Sequence, residues 1–212
     1  MDRRSAEEIC VSPRAPPSNA AIVRVLLAAG LGTRYDPTGE RLKLLQPVAG
    51  GPHAGVPIVA AAARNLRSNL ARTFAVVRPL DDPHQPALHE LLQREGCELV
   101  ICEHADQGIG ASLACGVRAS AVADGWIVAL GDMPSINPAT IDVVVNALSA
   151  GHATAAPSYR GQRGHPVGFS ASCRTALLAL EGDHGARALL ETHPPHLIAV
   201  NDAGILIDID HH

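Results

Sequence analysis

The sequence predicts an α/β fold with a mostly parallel sheet, and three observations carry that reading. The run from Ile22 to Ala28 is apolar except for Arg24, the signature of a strand buried on both faces. Strand-like and helix-like segments then alternate as far as Leu148. After residue 150 the rhythm changes to short strand-like pieces around brief helices, so the second part adds strands and loops to an alternating first part.

Residues 1–20 carry Pro13, Pro16 and Pro17 without apolar periodicity and read as a flexible leader, leaving 21–212 as one domain. After the first strand, Val56 to Leu70 reads as a helix and Thr73 to Arg78 as a second strand. Ala87 to Glu95 places Leu88, Leu91 and Leu92 on one helical face, and Glu98 to Cys102 is a third strand. Ile109 to Val122 is helical, and Trp126 to Leu130 is a fourth strand ending at Gly131. Asn137 has the chemistry of an N-cap, with Pro138 at the first helical position of a helix reaching Leu148. Beyond it, Ala153 to Pro157, Pro166 to Ser170, Leu197 to Val200 and Ile205 to Ile209 are strand-like, with helices near 171–180 and 184–192.

Composition excludes several classes of function. Five aromatic residues (Trp126, Tyr35, Tyr159, Phe74, Phe169) are too few for base-stacking platforms, and a net charge of -4 disfavours duplex nucleic acid as a partner. No apolar run approaches a membrane span, and MDRRSAEEIC has no apolar core behind its charges, so the expected location is the cytoplasm. Five cysteines without CxxC spacing suit reduced thiols rather than a disulfide framework or a zinc ribbon.

Chemistry is concentrated at strand ends. Ala29-Gly30-Leu31-Gly32-Thr33-Arg34 follows the first strand, with Lys43 further on. Glycines there let the backbone approach a ligand and turn its N–H groups toward phosphate. The dinucleotide fingerprint fails at Tyr35, where it needs glycine, and no GKS or GKT completes a Walker loop. Arg34 and Lys43 suit a triphosphate, one as a planar fork and the other as a point charge; an ordinary glycine turn is the structural alternative. Asp132, in Ala129-Leu130-Gly131-Asp132-Met133-Pro134, stands where α/β proteins bind ligands, and its hard oxygens suit Mg²⁺. The alternative is an aspartate capping a turn. Asp208 and Asp210 are two apart, so on a strand they share a face.

Six segments in order carry a resemblance: LLAAGLGTR (26–34) with Lys43-Leu44-Leu45, GIGASLACGV (108–117), ALGDMP (129–134), RGHPVGF (163–169), GDHGARALL (182–190) and DID (208–210). Together they resemble the nucleotidyltransferases of molybdenum cofactor maturation, most closely the cytidylyltransferases, over roughly residues 22–210. The resemblance implies a three-layer α/β/α, Rossmann-like nucleotidyltransferase fold of glycosyltransferase-A type with a mixed, mostly parallel sheet. It implies Mg²⁺- or Mn²⁺-dependent transfer of CMP from CTP to the terminal phosphate of molybdopterin, with a molybdoenzyme as recipient of the product.

Carried onto this chain, the resemblance implies that Ala28, Ala29, Gly30 and Gly32 hold the nucleotide and that Arg34 and Lys43 offset the triphosphate. Asp132 and Asp210 become the metal ligands, Gly110 and Ser112 flank base and ribose, and His165, Asp183 and Arg187 line the acceptor site. Two departures stand out. The stretch from Tyr35 to Leu42 is longer than in the common pattern, which leaves the register of Lys43 open. The segment that usually follows the second metal aspartate is absent before His212, which makes Asp210 the expected weak ligand. GMP transfer, another small phosphate acceptor and a non-catalytic cofactor-binding module are the competing readings. The guanylyl branch usually carries a Gly-Gly where this chain has Ala28-Ala29-Gly30, which favours cytidine.

Overall fold

The computed structural model describes residues 22–32, 35–67, 71–183 and 185–209. The expected leader, residues 1–20, lies outside them. Strand β1 (Ile22–Leu27) is central because it has a parallel neighbour on each side, β2 (Thr73–Val77) and β4 (Gly125–Leu130). Strand β3 (Glu98–Ile101) continues the parallel set beyond β2. On the other flank the direction reverses. Strands β5 (Thr154–Tyr159), β6 (Gln162–Arg163) and β7 (Val167–Ser170) pair antiparallel, β7 joining β4 to β5, while β8 (His196–Ala199) runs parallel to β5. Among the described residues these eight strands make one mixed, mostly parallel sheet in the order β3-β2-β1-β4-β7-β5-β6, with β8 against β5.

Alternation along the strands creates two apolar faces, and each is covered by helices. Leu26, Ala75, Val77, Ile127 and Ala129 meet α1 (Ile58–Leu66), α2 (Gln85–Arg94) and α4 (Pro138–Ser149). Val23, Val25, Phe74, Val76, Trp126 and Val128 meet α3 (Ile109–Ala119), α5 (Arg174–Leu178) and α6 (Arg187–Thr192). This is the expected three-layer arrangement. Trp126 is fully buried, and its indole N–H donates to Ser120 Oγ at 2.8 Å, so its one polar atom is satisfied inside the core.

Chain order changes direction between β1 and β4, so the crevice above their carboxyl ends is the topological switch point where such sheets bind ligands. Two local expectations change. The helix expected from Val56 occupies only Ile58–Leu66, with Pro57 at the N-cap position making no side-chain cap, and is ended by extended backbone at Arg67. The strand expected over Ile205 to Ile209 is instead a 3-10 turn, Ala203–Leu206, followed by irregular chain. Its cause is local: Asp202 Oδ1 accepts from the Gly204 amide at 2.9 Å, while Oδ2 accepts from the Asn137 amide and Thr140 Oγ1. Gly204 itself lies so close to Ser135 that an added Cβ would stand 2.0 Å from that carbonyl oxygen. An aspartate turn tied to α4 thus displaces the ladder that apolar alternation suggests.

Candidate active site

Beyond β1 the backbone leaves the sheet after Ala28, whose amide still donates to Val76 at 2.9 Å. Ala29, Gly30, Leu31 and Gly32 then line a cavity of about 380 Å³ together with Lys43, Arg78, Asp106, Ser112 and Asp132. Gly32 has φ +66°, and a Cβ there would lie 3.1 Å from Lys43 Cβ. Glycine therefore lets the segment bearing Lys43 close over the loop. Lys43 opens a 3-10 turn (Lys43–Leu45), and its Nζ donates to Asp132 Oδ2 at 2.7 Å. The two side chains are only 10% and 23% exposed, so the pair sits at the base of the cavity. The long stretch before Lys43 has not moved it away from the strand ends.

Asp132 follows β4 directly, and its carbonyl accepts from the Ile209 amide at 3.1 Å, which brings segment 207–209 alongside. Arg34 and Asp210 lie outside the described residues. Asn65, buried on α1, joins the two loops of the ion pair: its Nδ2 donates to Pro134 O at 2.7 Å and its Oδ1 accepts from His53 Nε2 at 2.9 Å.

A second cavity of about 450 Å³ adjoins the first, and Leu27, Ile109, Leu130 and Asp183 belong to both. It contains His165 and Arg187 with Arg163, over an apolar floor that includes Val167 and Phe169. His165 Nδ1 is buried without a hydrogen-bond partner. Burial and the neighbouring Arg163 guanidinium push the imidazole pKa down, against an opposing pull from Asp132, so the neutral ring is favoured.

Most of the sequence-derived residues that are described thus gather around two connected cavities, but two of the described ones, Ala28 and Gly110, do not line them. Ala28 is buried beneath the loop. Gly110 faces the 181–182 backbone, where an added Cβ would meet Glu181 O at 2.7 Å, and its amide donates to Gly182 O at 2.9 Å. Its role in this chain is to admit that segment, which carries Asp183 to the wall between the cavities. Arg78 was not singled out from sequence. Its Nε donates to Ala29 O at 2.9 Å and it lines the first cavity. The only available signal was a basic residue at the carboxyl end of a strand, which is commonplace.

The donor chemistry fits Mg²⁺ or Mn²⁺. Asp132 offers hard oxygens at a position already facing a cation, the Lys43 ammonium. Among the described residues no three His, Cys, Asp or Glu side chains gather into a metal cage. An ion held by one or two carboxylates and completed by phosphate oxygens and water is the usual Mg²⁺ arrangement. Among the described residues no helix is long and apolar enough to cross a membrane.

Known proteins share this architecture. The chain is 37% identical over 117 residues to the purine catabolism protein PucB of Bacillus subtilis (strain 168), a match spanning 53% of this chain and 56% of that protein. The crystal structure of Rv0371c from Mycobacterium tuberculosis H37Rv superposes with a TM-score of 0.71 at 25% identity, covering 90% of this chain and 94% of that one. A complex of Rv0371c with manganese superposes at 0.62, with 24% identity and coverage of 85% and 88%. Residues 24–197 match the MobA-like NTP transferase domain, a span that contains the described walls of both cavities. On that ground the chain belongs to the MobA-like NTP transferase family.

Proposed function

We propose that this chain transfers CMP from CTP to the terminal phosphate of molybdopterin, using Mg²⁺ or Mn²⁺ and releasing pyrophosphate. The observation that carries the reading is the pair of adjoining cavities with Asp183 in their common wall. One has a glycine loop, Lys43 and Asp132, suited to a triphosphate; the other has Arg163, His165 and Arg187, suited to an anionic acceptor.

In the reaction an acceptor phosphate oxygen forms a bond to the α-phosphorus of CTP as the bond to the β-phosphate bridge breaks. A phosphate monoester is largely ionised near neutral pH, since its second pKa is about 6, so no general base is needed. The barrier lies in bringing two polyanions into line, and the chain meets it by positioning and charge. Backbone amides of the loop cradle the phosphates, Lys43 and Arg34 neutralise the tail, and Arg163 and Arg187 hold the acceptor. A divalent ion held at Asp132, with Asp210 as second ligand, would supply further neutralisation of the triphosphate. Ala28-Ala29-Gly30 at the loop start supports CTP over GTP. On this reading residues 21–212 work as one cytoplasmic domain, and a molybdoenzyme takes up the product.

Lys43→Ala is expected to weaken CTP binding far more than CMP binding, because the ammonium is directed at the phosphate tail. Calorimetric titration of both nucleotides checks this, and equal losses would remove Lys43 from the tail site. The function itself is tested by pyrophosphate release with CTP, GTP, ATP and UTP, each with and without purified cofactor. Cofactor-dependent release with CTP is the expected result. Release confined to GTP would move the protein to GMP transfer on the same site, and no release with any nucleotide would leave a cofactor-holding module.

A further inference from the structure

We propose that Lys43 is a resident counter-ion that keeps free metal off Asp132 until nucleotide phosphates draw it away. The inference rests on the function proposed above and adds an order to it: the cation enters with the triphosphate, not before it. Lys43 Nζ stands 2.7 Å from Asp132 Oδ2, with the side chains only 10% and 23% exposed. A charge-assisted bond of that length, shielded from water, competes directly with a divalent ion for the same carboxylate oxygen.

The surroundings hold the ammonium there. Lys43 is the first residue of its 3-10 turn, with Gln46 donating back to its carbonyl at 3.0 Å. The Cβ-free face of Gly32 lets its side chain lie along the loop. The same loop, Ala29 to Gly32, lines the cavity into which Lys43 projects. A triphosphate bound there presents several negative charges to the ammonium, where Asp132 presents one. Phosphate arrival thus releases Asp132 at the moment a cation accompanies it, which also keeps the empty site from collecting metal.

Titration of the nucleotide-free protein with Mn²⁺, followed by electron paramagnetic resonance, tests the guard. Lys43→Met is expected to bind Mn²⁺ roughly tenfold or more tightly than the unsubstituted chain, the loss of one charged hydrogen bond. Adding Asp132→Asn to Lys43→Met should abolish the gain. A Lys43→Met protein that binds Mn²⁺ no better than the parent overturns the proposal. A second measurement needs no substitution: the lysine ammonium NMR signal of the Asp132 pair should persist on adding Mg²⁺ alone and disappear with Mg²⁺ and CTP. Its loss with Mg²⁺ alone at the same concentration overturns the proposal equally. The Mn²⁺ experiment contains no nucleotide, so its failure is distinct from failure of the transfer reaction, which is read by pyrophosphate.

Discussion

Asp132→Ala is expected to lower kcat by at least about 10²-fold, the scale of losing one fixed electrostatic contact to a transition state. The residue stands just beyond β4 and is not part of either apolar face, so far-ultraviolet circular dichroism should stay that of the parent. Removing the carboxylate also takes away the Asp132 oxygen that Lys43 Nζ meets at 2.7 Å. Asp132→Asn separates the effects, since its side-chain oxygen still accepts from the ammonium while the charge is gone. Steady-state pyrophosphate assays on both variants decide the matter. Near-parental turnover in a folded Asp132→Ala protein would refute its place in the reaction.

Gly108→Ala should be nearly as damaging through geometry alone. Gly108 has φ +108°, a conformation that a residue with a Cβ adopts only under strain of about 1–3 kcal/mol. The added carbon would also stand 2.4 Å from Asp183 Oδ1 and 2.5 Å from the Gly182 carbonyl carbon. The 181–183 segment must then retreat, taking with it Asp183, which belongs to both cavities. We expect a loss of roughly 10²-fold in kcat/KM, the scale set by misplacing groups by about 1 Å. Chemical denaturation should register the strain as a lower midpoint. A variant with normal kinetics would mean that the segment plays no part in joining the two substrates.

Parallel strands and amphipathic helices were legible in the sequence because burial alone dictates them. The Ile22 run, the Phe74 and Trp126 strands and the α4 start at Asn137 each follow from local pattern, and Asn137 does accept from the Ala139 amide at 2.9 Å. Segment 203–209 was not legible, because the turn at Gly204 depends on Ser135 and the start of α4, both more than sixty residues earlier in the chain. At the site, the glycine loop and Asp132 were readable from their strand-end positions. Lys43 could be read as a phosphate-facing cation, but the eight irregular residues that separate it from Arg34 left its register open. Arg78 and Asn65 escaped notice because nothing in a sequence distinguishes an arginine or asparagine that binds a distant backbone carbonyl from one facing water.

Asn65 has a bearing on how this fold accommodates change. Through one amide it fastens the hairpin after Lys43 and the turn after Asp132 to the same helix, and Val48 reinforces that hairpin by pairing with Gly55 and Val56. The lysine is thus anchored from both sides, by this hairpin downstream and by the buried Leu42 immediately before it, while residues 36–41 contribute mainly length. Those residues lie mostly on the surface, with Asp36 gathering Thr38 and the Arg41 amide and one tie to the rest of the fold from His84 Nε2 to the Gly39 carbonyl at 2.9 Å. Loop closure penalises extra residues only weakly, about 0.6 kcal/mol for each doubling of length. Segment 36–41 is therefore a place where this architecture can lengthen, shorten or acquire new surface chemistry while its phosphate-facing lysine stays in register.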